Sequence, residues 1–284
     1  MRSAFTWILG LVLVAVAGFF AWKYFGGGGP SIAFAPYGDS YSSRVDFAEL
    51  ERLHPLTAED RAKITPENIT KLNQEQLDQI YGRISSGPIP NGFYHGDLLF
   101  TRGITGRTRI NEIIGEGLKG SVAGLQVNKL EALGRALWKG KYFYHDQRLL
   151  RNRIEHLDLL KEFFPDPADQ ARLTASSGEP LYFPAKLYCG QSLLDSRRES
   201  VIIDYAFTDE LDGYRAVPDK LAGREGLTIR DEIRMIRPGF YLGRAYASNT
   251  FLLNFFLYNE EVAKAGGTAA NECWSGPQTL AQAQ

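Results

Sequence analysis

Apolar and polar residues alternate along this chain in three distinct patterns. From Ala4 to Trp22 no residue carries a charge, and at about 1.5 Å per residue such a run nearly spans a ~30 Å hydrocarbon layer. The pattern predicts a single membrane-crossing helix over residues 1–25, retained as an anchor. A cleaved signal has a shorter apolar core, ~7–15 residues, ending at small residues. Here the A-x-A after the run, Ala33-Phe34-Ala35, is followed by Pro36, a poor residue to stand after a cut. Trp7, Trp22 and Tyr24 flank the run, where amphipathic rings favour the interface. Arg2 and the chain amine on the short leading tail predict a cytoplasmic N-terminus and a body on the periplasmic or extracellular side.

A flexible spacer, 26–45, begins with Gly26-Gly27-Gly28-Gly29-Pro30. A second pattern follows over 46–84. Leu56-Thr57-Ala58-Glu59, Ile64-Thr65-Pro66-Glu67 and Leu72-Asn73-Gln74-Glu75 place an aliphatic residue, a capping residue and an acid at regular intervals. This spacing predicts a collar of short helices, the last over Gln74–Ile84 with Leu77, Ile80, Tyr81 and Ile84 on one face.

The third pattern, with period two, begins after the turn-dense Ser85–Gly92 and sets a domain at 85–284. It predicts strands over 93–102, 141–144, 149–154, 181–190, 199–207, 228–237, 240–247 and 251–258, with helices within 110–137 and at 156–164. About eight strands on short turns suit closure into an antiparallel barrel, so the expected fold is mainly β with accessory helices and an N-terminal transmembrane helix. Phe251–Tyr258 is apolar on both faces, as expected of a strand covered inside by the barrel contents and outside by a helix.

Composition removes several classes of partner. With 32 basic and 33 acidic residues there is no basic footprint, so nucleic acid is not expected. Two cysteines and four histidines, with no C-x-x-C or H-x-x-x-H pair, give no metal site. No cofactor is implied either, because Gly115-x-Gly117-x-x-Gly120 lacks a surrounding βαβ unit. Outside the cytoplasm, Cys189 and Cys273 suit either a disulfide strapping the tail to the barrel or two free thiols.

Three segments carry a resemblance. They are Trp138-Lys139-Gly140-Lys141-x-Phe143 with Leu150-Arg151-Asn152-Arg153; Val201-Ile202-Ile203-Asp204-Tyr205; and Arg230-Asp231-Glu232-Ile233-Arg234-x-x-x-Pro238-Gly239-x-Tyr241-Leu242-Gly243. Over about 85–250 the chain resembles an uncharacterised bacterial family with a lipocalin-like, calycin-type β-barrel pattern. That resemblance implies a lipid-like or other apolar ligand and brings no established reaction.

Strand parity supplies the candidate chemistry. Arg230, Glu232 and Arg234 share one face, opposite Ile229, Asp231 and Ile233, while Asp204 lies opposite Val201, Ile203 and Tyr205. Lys186, Arg244 and Asn254 also interrupt apolar strands. Charges of this kind either line the barrel and orient a head group or pair on a solvated face. The ligand contacts expected on the first reading are Lys186, Asp204, Tyr205, Glu232, Arg234, Tyr241 and Arg244. The preferred function is a non-catalytic carrier or sensor of an apolar molecule at the bilayer. An envelope hydrolase or isomerase using Asp204, Glu232 and His95 is the alternative from another class, and a scaffold for unidentified protein partners is the second.

Overall fold

The computed structural model describes residues 28–36, 45–99, 134, 137–156, 173–267 and 270–276. The expected anchor, the glycine-rich match at 115–120 and nearly all of the helices expected within 110–137 and at 156–164 lie outside the described residues. Among the described residues no helix is long and apolar enough to cross a membrane.

Among the described residues, four helices precede the sheet: α1 (Phe47–Leu53), α2 (Ala58–Lys63), α3 (Pro66–Ile69) and α4 (Gln74–Gly82). The caps Thr57, Thr65 and Asn73 each accept from the third helical N–H, and Asp60, Asn68 and Gln76 accept the cap's own N–H in return. Each helix therefore satisfies its exposed donors locally, which lets elements this short hold their shape.

Nine strands follow among the described residues: β1 (Gly92–Leu99), β2 (Trp138–Tyr144), β3 (Leu149–Ile154), β4 (Leu173–Thr174), β5 (Pro180–Gln191), β6 (Glu199–Asp204), β7 (Ile229–Arg237), β8 (Phe240–Ala247) and β9 (Thr250–Tyr258). Their order is β3-β2-β1-β9-β8-β7-β6-β5-β4, and β3 also pairs with β5. The pairings β1–β9 and β3–β5 close eight antiparallel strands into an up-and-down barrel, with two-residue β4 flanking the start of β5. Strand β6 ends at Asp204 rather than running on to Phe207, because the Asp204 carboxylate accepts the Ala206 N–H at 2.8 Å and turns the chain. Two-residue β4 falls outside the sequence pattern, as do two helices: α5 (Ala216–Asp219) between β6 and β7, and α6 (Glu260–Ala265) after β9. Both are too short to show a helical period.

Alternation along the strands divides two cores. Inside the barrel lie Tyr94, Phe143, Leu150, Leu187, Ile203 and Ile233 with their neighbours. Outside, the collar's Ile64, Ile69, Leu72, Leu77, Ile80 and Ile84 cover Leu99, Ile236, Phe240, Leu242 and Phe256. Strand β9 is thus apolar on both faces because both are covered.

One end of the barrel is filled. Tyr94 packs edge-on against Phe143 and Tyr241, with centroids 5.6 and 5.7 Å apart, and the Tyr241 hydroxyl donates to the Pro88 carbonyl at 2.9 Å. The tail closes over this end. Cys189 and Cys273 are disulfide-bonded, Glu272 accepts the Ile89 N–H, and Asn271 accepts the Gly87 N–H.

Candidate functional site

The other half of the barrel is not filled. A cavity of about 360 Å³ opens among the far ends of the strands, walled by Leu98, Trp138, Ile154, Ile229, Leu253 and Phe255. Two glycines make room for its aromatic wall. A Cβ at Gly96 would stand 2.2 Å from the Trp138 ring, and one at Gly243 would stand 2.2 Å from the Phe255 ring. The distal edge of each ring therefore sits over a glycine, and the two rings meet edge-on at 5.7 Å. Any larger residue at either position would push a ring into the cavity.

A polar crossbar separates the cavity from the filled half. Lys141 on β2 and Asp231 on β7 stand on opposite sides of the ring of eight strands, and Lys141 Nζ lies 3.1 Å from Asp231 Oδ2. The ammonium also donates to Asn152 Oδ1 at 2.9 Å and to the Tyr205 hydroxyl at 2.5 Å. Trp138 Nε1 donates to the same Asn152 oxygen at 2.9 Å. Asn152 Nδ2 donates to the Phe183 carbonyl and to the Tyr205 hydroxyl, and that hydroxyl donates onward to Asp231 Oδ2 at 3.4 Å. Rings of Trp138, Tyr205 and Phe255 stand 5.3, 5.3 and 5.4 Å from the ammonium, adding cation–π support.

Burial drives the two ends of the crossbar toward each other in acidity. It pushes the Lys141 ammonium below its usual range, against the pull of Asp231. It pushes the Asp231 carboxyl up, against the pull of Lys141. The Tyr205 phenol is held well above its ordinary value, first by burial and then by Asp231. These are the signs expected of charges taken out of water and repaid by one another.

Of the seven expected ligand contacts, Tyr205 alone lines the cavity. Tyr241 is interior but packs in the filled half. The expectation that Arg234, Glu232 and Arg244 point into the barrel is corrected by their placement on its outer face, beneath the collar. Arg234 donates to the Tyr81 carbonyl at 3.0 Å and reaches Asp195 at 3.2 Å. Glu232 accepts from the Tyr81 hydroxyl and the Leu193 N–H and pairs with Arg230. Arg244 pairs with Asp78 of α4 and lies 4.4 Å over the Phe251 ring. Asn254, also outward, donates to Gln74. Nor does the solvated-face reading describe these residues, because the collar buries the face they share.

Lys186 and Asp204 are also outward, and more accessible. Lys186 reaches Glu210 at 2.6 Å, and Asp204 accepts from the Tyr188 hydroxyl at 2.8 Å. His95 is exposed on β1, separated from β7 by β9 and β8, so Asp204, Glu232 and His95 do not share a site.

Lys141, Asn152, Asp231 and Trp138 escaped the parity reading. Asp231 carried the clearer signal, since it stands between Ile229 and Ile233 on the face that is apolar to either side. Lys141 was masked by Lys139, two positions away and so on the same face by strict alternation, which makes the pair read as a charged, solvated face.

No family model and no curated protein matches the chain. A crystal structure of a protein from Thermomonospora curvata is similar over 66% of this chain and 88% of its own, at 15% identity and a TM-score of 0.32. A likeness of that degree leaves the site to be read from its own residues.

Proposed function

We propose that this chain is a membrane-anchored carrier or sensor, with a lipocalin-like barrel that holds an apolar small molecule and does not transform it. The observation that carries this reading is the cavity itself. It is apolar-walled, lies near the lower end of the ~300–1,000 Å³ range of ligand pockets, and ends on a small set of fixed polar groups. The uncharged run Ala4–Trp22 supports the anchor, and the Gly26–Pro30 spacer would let the body stand off the bilayer. Arg2 and the chain amine at the leading tail support a body on the periplasmic or extracellular side.

The test is mass spectrometry of the full-length chain extracted from the membranes of its own host, under native conditions and again after organic extraction. An apolar compound is expected to co-purify near one per chain. Ala245→Phe, which fills the cavity from its wall, should remove that compound while the circular dichroism spectrum is retained. Equal amounts in wild type and variant would refute the reading.

A further inference from the structure

The donors and acceptors of the crossbar can be counted one by one. Lys141 has three N–H groups, and Asn152, Tyr205 and Asp231 take all three. Both amide hydrogens of Asn152 are committed, to Phe183 and Tyr205. The indole N–H of Trp138 is committed to Asn152. The Tyr205 hydroxyl accepts twice, so its one hydrogen is left for Asp231. No donor of the crossbar remains for a ligand. On the acceptor side, Asp231 Oδ2 takes Lys141 and Tyr205, while Oδ1 takes no hydrogen bond from any described residue. The crossbar is also electrically balanced, one ammonium against one carboxylate.

We propose that the cavity selects an uncharged apolar alcohol, whose hydroxyl donates to Asp231 Oδ1. The inference rests on the cavity being a binding site and specifies what enters it. A ligand carboxylate would find no N–H or O–H of the crossbar free to receive it and would bring a second negative charge beside Asp231 in a low-dielectric interior. A ligand ammonium would satisfy Oδ1 but stand next to the Lys141 ammonium, leaving net positive charge among apolar walls. A plain hydrocarbon would fit the walls and leave the carboxylate oxygen unpaired, which costs binding. A hydroxyl supplies the missing donor and leaves the charge balance untouched. Selectivity then comes from the unpaired group a wrong ligand leaves behind, a strong form of discrimination.

The experiment uses the full-length chain in amphipol with four probes of one skeleton: decan-1-ol, decanoate, decylamine and decane. Each is scored at neutral pH by displacement of an environment-sensitive apolar dye. Decan-1-ol is expected to bind at least tenfold more tightly than decanoate or decylamine, and more tightly than decane. Single changes at Lys141 or Asp231 strand a buried charge, so the control is the double variant Lys141→Met with Asp231→Leu. It should fold, still admit decane, and bind decan-1-ol no better than decane. Decanoate binding as tightly as decan-1-ol, or an alcohol preference that survives in the double variant, would overturn the inference and leave the cavity as a binding site. Displacement by none of the four would overturn both.

Discussion

Arg234 is wholly buried, and each of its five N–H groups has an acceptor. Nε donates to Ser200 Oγ at 3.0 Å; Nη1 to the Tyr81 carbonyl and Asp195 Oδ2 at 3.0 and 3.2 Å; Nη2 to the Asp195 and Arg198 carbonyls at 2.9 and 2.8 Å. The side chain thus ties β7 to β6, to the β5–β6 connection and to α4. A lysine keeps the charge but has three donors, so Arg234→Lys leaves at least two of these five buried hydrogen bonds unmade. At ~1–3 kcal/mol for each, the loss is about 2–6 kcal/mol, a large share of a total of ~5–15 kcal/mol. Arg234→Leu removes all five donors and leaves Asp195 with Arg197 alone, so it must cost more than the lysine. Urea unfolding of the full-length chain at pH 7, followed by fluorescence and by circular dichroism, measures both. A loss below 1 kcal/mol for the lysine variant, or a leucine variant more stable than it, would refute the clamp. Unchanged stability with lost ligand in either variant would return Arg234 to the role of ligand contact.

Three further outcomes are expected. The Cys189–Cys273 bridge closes a separation of 84 residues, so Cys273→Ser should lower stability by up to about 4–5 kcal/mol on the chain-entropy account; an unchanged urea midpoint would contradict it. Lys141→Met leaves Asp231 without its cation, so the folded carboxyl rises further above its unfolded value; the protonated form is then favoured in the fold, and the penalty grows as pH rises above ~4. At pH 7 it should reach about 3–5 kcal/mol, and a penalty that instead grows toward acid would refute the pairing. Alkaline phosphatase fused to the C-terminal end should be active if the body lies outside the cytoplasm, and an inactive fusion would reverse the proposed orientation.

Much of the barrel was legible because its strands are short, closely joined and regular in period. The collar was legible because Thr57, Thr65 and Asn73 cap through their own side chains, a signal written wholly in local sequence. The site was less legible, for a specific reason. Parity sorts residues into two faces but does not say which face is inside, and over β7–β9 both faces are covered. Arg234 and Glu232 among aliphatic neighbours looked like lumen residues because burial outside a barrel leaves the same trace as burial within it. Asp231 and Lys141 meet only across the lumen, 90 residues apart in sequence, and no local pattern records that meeting.

The collar's dependence on the strands it covers has a consequence for the order of synthesis. Its caps can form as soon as it leaves the ribosome, but its apolar face finds Leu99 on β1 and the rest of its strand partners on β7, β8 and β9. The bonds that seat it span 153 residues from Tyr81 to Arg234 and 166 from Asp78 to Arg244. The barrel closes no earlier, because β1 pairs with β9. Contacts of such long range form slowly and late. Ile69, Leu72, Leu77 and Ile80 therefore remain uncovered for most of translation, on a chain whose first segment is itself apolar. A lesion confined to β8 or β9 would expose the collar as well as open the barrel, so it should be met as aggregation or degradation of the whole chain before it is met as a loss of binding.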